Sequence, residues 1–229
     1  MRHSGRTVLA IAMLISLPLS ASAHSLQEFE QQLEARETYF QAMEKPAPDF
    51  MLQDTGGGIH RMADFRGKVL VLNFIYTHCP DACPLHAEKI AEIQKMINGT
   101  PMRSKVEFIT ITTDPERDTR AVLQEYGAAH GLDPANWLFL TAAPNQPADS
   151  TRRLAQAYGL EFTPTPDELE MHGVVTHVID QDGVLRARFH GLEFQPVNLV
   201  MFVNALTNHL QKLHEERQPT LWERLKMLF

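Results

Sequence analysis

Cysteine is nearly absent: of 229 residues only Cys79 and Cys83 carry a thiol, so no disulfide framework can hold the fold. Charge of one sign is not concentrated either. Lys and Arg number 21 against 28 Asp and Glu, net −7, and no basic run occurs. That argues against nucleic acid as a partner. Glycine and proline, at 12 and 14, are too few for a collagen-like or low-complexity chain. No apolar run reaches the roughly 20 residues that cross a bilayer as a helix. The longest, Thr7 to Ser20, is interrupted by Ser16 and Pro18. With Arg2 and Arg6 before it and Ala21-Ser22-Ala23 after it, residues 1–23 read as a cleaved secretory signal. The expected location is therefore periplasmic and soluble, with membrane contact at the surface at most; an uncleaved N-terminal anchor is the alternative. The full sequence is 44% hydrophobic, an ordinary composition for one globular domain.

Hydrophobic period sets the expected elements. Ser25 to Lys45 predicts a helix with Leu26, Phe29, Leu33, Phe40 and Met43 on one face. Asp49 to Met62 predicts a short strand region turned at Gly56-Gly57-Gly58; no Lys-Ser/Thr follows, so this is no phosphate loop. Val69 to Tyr76 and Val106 to Thr113 are continuous apolar and β-branched runs, as expected of strands buried on both faces. Helices are expected over Cys83 to Asn98, Glu116 to His130, Ala148 to Tyr158 and Pro196 to His214. Trp137 to Thr141 predicts a short strand. Val174 to Ile179 and Leu185 to Phe189 predict a hairpin turned at Asp180-Gln181-Asp182-Gly183. Phe162 to Met171 reads as loop. The alternation of strand and helix, closed by a hairpin and a helix, predicts an α/β thioredoxin-like sandwich with a mixed central sheet. The expected organisation is a helix over 24–45, one domain over 46–216, and a tail over 217–229. Leu221 to Phe229 could touch a membrane surface or a partner.

The chemistry concentrates in Thr77-His78-Cys79-Pro80-Asp81-Ala82-Cys83-Pro84. Two thiols four apart close a small loop, and a structural disulfide there would gain little from chain entropy. A redox or metal role is the better reading. Cys83 falls at the expected start of a helix, where free N–H groups and the dipole favour a thiolate. Pro84 suits a first-turn position. Two roles stay open on this geometry: a reversible disulfide, or a two-sulfur clamp on a soft metal. The spacing is Cys-x-x-x-Cys rather than the usual thioredoxin Cys-x-x-Cys. The later strand is preceded by His172-Gly173 rather than proline, so an imidazole can complete a Cys2His set. Such a set suits copper, while closed zinc sites want a fourth ligand.

These segments resemble the Sco/SenC family. Gly67-Lys68 before the apolar strand Val69 to Tyr76, the Thr77–Pro84 motif, Asp114-Pro115-Glu116-Arg117-Asp118-Thr119 and His172 occur in the family's order. The resemblance implies a thioredoxin-fold copper protein that assists assembly of the CuA centre of cytochrome c oxidase. It implies copper ligation by Cys79, Cys83 and His172. The implied partners are the oxidase's copper-bearing subunit or another copper protein, and an upstream copper donor. Met171 and Gly173, flanking the histidine, depart from the usual family text. Asp81, Asp114 and Asp118 are candidates to orient the site, with turn and helix-end stabilisation as their alternative. His78 and His86 could be accessory ligands, but a surface or capping role is expected of them. His177, an odd number of residues from His172, is expected on the opposite strand face. His24 is a candidate chelator only if cleavage follows Ala23. The rival functions are a thiol–disulfide oxidoreductase using Cys79 and Cys83 on that copper site or another exported dithiol client, and a peroxidase-like enzyme with Cys79 as the attacking thiolate.

Overall fold

A computed structural model describes residues 26–164 and 170–217, with side chains over 26–163 and 173–208. The expected signal, His24 and the segment from 218 onward lie outside the described residues. Among the described residues five α-helices are present: α1 Leu26–Glu34, α2 Ala82–Asn98, α3 Arg120–Ala129, α4 Ser150–Ala157 and α5 Pro196–Arg217. The strands are β1 Phe40–Pro46, β2 Met51–Asp54, β3 Ile59–Arg61, β4 Val69–Ile75, β5 Val106–Thr112, β6 Trp137–Ala142, β7 Phe162–Pro164, β8 Glu170–His172, β9 Val175–Ile179 and β10 Val184–His190. Eight of them form one sheet in the order β1-β10-β9-β4-β5-β6-β2-β3, and β7 pairs with β8 apart from it. The central β4, β5 and β6 are parallel; the flanking pairs are antiparallel. No described helix is long and apolar enough to cross a membrane. This is the mixed, thioredoxin-like α/β sandwich that the pattern predicts.

Every residue of β4 and β5 is buried, because both sheet faces are covered. The period of two splits β4 between two cores. Val69, Val71 and Ile75 meet Ile90, Ile93 and Ile97 of α2 and Leu199, Phe202 and Val203 of α5 in one cluster. Leu70, Leu72 and Phe74 meet Ile109, Ile111, Leu140, Ala155 and Tyr158 in the other. Gly127, mid-helix in α3, costs helix stability. A side chain there would sit 2.3 Å from the Trp137 ring, so glycine lets α3 lie against β6.

The helix expected over Ser25 to Lys45 is corrected: it stops at Glu34, and Phe40–Pro46 is strand β1, antiparallel to β10. Two interactions decide this. The buried Glu37 carboxylate accepts from Gln195 N at 3.0 Å and Asn198 Nδ2 at 2.7 Å, which ties the chain to the start of α5. Phe40 packs edge-on to Phe189 and Phe202, each 5.2 Å away between ring centroids. A helix running on through 40 would lose both. The helix expected from Glu116 also begins later, at Arg120, because Asp118 turns inward. Phe162 to Met171, expected as loop, carries β7 and most of β8. The β9–β10 hairpin forms as expected, its turn closed by Gly183 N donating to Asp180 O.

His177 on β9 is 0% exposed, edge-on to Phe74 and Tyr158. Burial, and then the Arg188 charge, push its imidazole down to about 3; His86 adds a smaller effect of the same sign. The folded protein therefore keeps His177 neutral, while the unfolded chain takes up a proton below about 6.5. The stability from this group is complete above that value and is lost as pH falls from 6.5 toward 3. Urea unfolding at about pH 7 and about pH 5 should show a loss of about 2 kcal/mol from this group. In His177→Phe the pH dependence should flatten by that amount; an unchanged pH dependence would contradict the assignment.

Candidate metal centre

The cysteine loop hangs from the end of β4. β4 and β5 are in register through Ile75 and Thr112, and Thr113 N donates to Ile75 O at 2.8 Å. That register brings Thr77, just past β4, beside Thr112 and the Asp118 carboxylate, which is 1% exposed. Asp118 accepts from Thr77 N at 3.1 Å and from the hydroxyls of Thr77 and Thr112. A buried carboxylate without such donors would cost several kcal/mol, so these three fix the loop. Asp114 lies at the same turn, paired with Arg117, and its N–H donates to Thr112 Oγ1 at 3.0 Å. Asp118 is thus the orienting carboxylate of the loop, and Asp114 braces the turn behind it.

The chain then enters α2, and its free N–H groups meet sulfur. Asp81 occupies the N-cap position, but its side chain makes no capping bond. The Cys79 sulfur takes that place, accepting from Cys83 N at 3.3 Å and from the Asp81 N–H. Asp81 therefore contributes its backbone, and its exposed carboxylate does not reach the sulfurs through a cap. Burial alone would raise the Cys79 thiol. Hydrogen bonds from the Cys83 thiol, the two N–H groups and the Tyr76 hydroxyl outweigh it and hold Cys79 below the ordinary thiol range. Cys83 is the opposite case. It is 5% exposed, and burial, then its bond to Cys79, push its thiol well above the ordinary range. The expectation that Cys83 is the favoured thiolate is thus reversed. Its side chain points into the core, while the Cys79 sulfur lies over the helix end. Both thiols are free, with Cys79 the more accessible.

Two tyrosines that sequence spacing does not single out border the pair. Tyr76 donates to Cys79, and burial and the Cys79 charge push its hydroxyl up to about 12. Tyr126 on α3 is 8% exposed and shares a core cluster with Cys83; its hydroxyl has no partner among the described residues. Burial first, and then the neighbouring sulfurs, push that hydroxyl well above the ordinary tyrosine range. Thr77 and Thr112 were equally invisible, because only strand pairing joins positions 77, 112 and 118.

The histidines separate into three environments. β9 runs antiparallel to β4 with Thr176 opposite Asn73, so β9 begins at the sheet end where β4 finishes. The backbone of His172, which closes β8 opposite Phe162, leads into β9 at that end. Its side chain lies outside the described part. His86 is 1% exposed rather than a surface or capping residue: its Nε2 pairs with Thr176 Oγ1 at 2.8 Å across α2 and β9. His177 sits on the other core face, against Phe74. His78 is exposed beside Thr77. Among the described residues no group of three His, Cys, Asp or Glu side chains is preassembled for a metal. The described donors are two sulfurs at one helix end, a set that suits a soft metal.

Comparison with known proteins places this arrangement in a family. Residues 40–208 match the SCO1/SenC family model. The mitochondrial SCO2 homolog of Bos taurus is 34% identical over 131 residues, covering 57% of this chain and 47% of that one. The chain thus spans about half the length of that curated relative. Bradyrhizobium japonicum ScoI, solved with copper bound, is 27% identical, with a TM-score of 0.57 over 70% of this chain and 99% of that one. BsSco, described as a member of the Sco family of cytochrome c oxidase assembly proteins, superposes with a TM-score of 0.64 at 21% identity, over 73% and 96% of the two chains. With its family match running through the cysteine loop, the paired sulfurs and the β9 entry, the chain belongs to the SCO1/SenC family.

Proposed function

We propose that this protein is an exported copper metallochaperone that binds copper through Cys79, Cys83 and His172 and delivers it to the CuA site of cytochrome c oxidase. The observation that carries the reading is the sulfur pair: Cys83 N–H and the Asp81 N–H both point at Cys79 Sγ, with the Cys83 thiol bonded to it. Two sulfurs held on one spot form a clamp for Cu(I), and an imidazole completes three donors. The arrival of the His172 backbone at the same sheet end supports its role as the third. The copper-bound ScoI relative supports copper over zinc. An upstream copper donor and the oxidase's copper-bearing subunit are the proposed partners, and the periplasm the proposed compartment, on the reading of residues 1–23 as a signal.

The environments of the sulfurs suggest how release works. Cys79 is accessible and easily deprotonated, so an incoming donor displaces it first. Cys83, embedded in the core, keeps the copper until the acceptor's own ligands have formed bonds. Asp118 holds the loop so that the sulfurs stay paired during the exchange. A second reading rests on the same asymmetry. An acidified, accessible Cys79 above a buried Cys83 is also the arrangement of an attacking and a resolving thiol, as a thiol–disulfide reductase requires.

Titration of the reduced protein with copper separates the two. The parent should bind one equivalent, and His172→Ala, Cys79→Ser and Cys83→Ser should each lose more than the roughly 10–100-fold that follows loss of an orienting neighbour. Binding by His172→Ala equal to the parent's, with the same sulfur-to-copper charge-transfer spectrum, would favour the reductase. Alkylation near neutral pH should modify Cys79 at least about tenfold faster than Cys83. Equal rates would remove the division of roles between the sulfurs.

A further inference from the structure

The hydrogen bonds around Thr77 determine where the proton of His78 sits. A threonine hydroxyl has one proton to donate. Thr77 gives it to Asp118 Oδ1. The contact between Thr77 Oγ1 and His78 Nδ1, at 3.2 Å, therefore has the ring nitrogen as donor. Asp118 Oδ1, 3.5 Å from the same Nδ1, favours a proton there as well. Neutral His78 thus carries its hydrogen on Nδ1 and a lone pair on Nε2. This is the arrangement by which a neighbouring acceptor orients a metal-binding imidazole. The ring is 52% exposed, Cys79 is half-buried beside it in sequence, and Cys83 is 5% exposed. In exposure the three donors are graded: a borderline donor at the surface, a half-buried sulfur and a buried sulfur.

We infer that His78 Nε2 is a transfer ligand, which takes Cu(I) from an arriving donor, passes it to the Cys79 sulfur, and serves again on the way out. The inference rests on the copper reading above and adds to it a residue outside the three resting donors. In the step, the Nε2 lone pair bonds to Cu(I) as one bond to the donor breaks. The Cys79 sulfur then forms its bond to copper, releasing its thiol proton to water, as the donor's remaining bond breaks, and the Nε2 bond breaks as the Cys83 sulfur, also releasing its proton to water, takes its place. Copper stays Cu(I) throughout, and His78 neither gains nor loses a proton.

Two measurements test it. In nitrogen-15 NMR of the metal-free protein, neutral His78 should show an unprotonated Nε2 and a protonated Nδ1. The reverse tautomer would overturn the inference without involving copper. The second is the rate at which the chelator bicinchoninate removes Cu(I) from the loaded parent and from His78→Gln. The variant should keep its copper affinity within about threefold and the parent's charge-transfer spectrum, yet exchange copper about tenfold more slowly. An unchanged rate would overturn the proposal. So would an affinity loss like that of His172→Ala, because His78 would then be a resident ligand. A parent that binds no Cu(I) overturns the copper reading and the transfer role together; a parent that binds it beside an unaltered His78→Gln rate overturns the transfer role alone.

Discussion

Everything at the sulfur end depends on one buried carboxylate. Asp118 is 1% exposed and accepts from Thr77 N and from the Thr77 and Thr112 hydroxyls. These bonds are available only because β4 and β5 pair in parallel through Ile75 and Thr112. The sheet register thereby fixes the start of the cysteine loop, and the loop fixes where α2 begins. Remove the carboxylate, and the half-buried Thr77 hydroxyl and the fully buried Thr112 hydroxyl lose their acceptor, with a penalty of about 1–3 kcal/mol for the buried one. The loop is then free to leave the sheet, and Cys79 no longer lies over the helix end.

The same anchor explains how one short motif gives two sulfurs opposite characters. Cys79 receives hydrogen bonds from Tyr76, Asp81 and Cys83, because the turn points its sulfur at the helix N-terminus. Cys83, on the buried face of α2 with Ala87 and Ile90, receives mostly desolvation. Packing, not motif chemistry, makes the difference. The pair thus has one accessible, acidified sulfur and one buried, protonated sulfur.

Strong hydrophobic signals were legible in the sequence. The runs Val69 to Tyr76 and Val106 to Thr113 could only be buried strands, and they are. The cysteine pair was legible from scarcity and spacing. Strand β1 was not, because its apolar residues Phe40 and Met43 continue the helical spacing of α1. Only Glu37 capture by α5 and the Phe189–Phe202 contact, both distant in sequence, overrule it. Asp118 could be read equally as helix stabiliser or orienting group, since Thr77 is 41 residues away and joins it through the sheet alone. Helix-dipole reasoning favoured the wrong thiol for a related reason. It located the helix end correctly but could not say which side chain would face it. His86 illustrates the same limit: nothing local announces its bond to Thr176, which lies 90 residues on.

The central claim is that the Asp118-anchored loop brings Cys79 and Cys83 together on one metal with His172. X-ray absorption at the copper edge of the reduced, Cu(I)-loaded protein measures that donor set directly. The account predicts a first shell of two sulfurs and one imidazole nitrogen, with the sulfur signal halved in Cys79→Ser and the imidazole signal lost in His172→Ala. A parent shell with a single sulfur, or one whose imidazole signal survives His172→Ala, would contradict it.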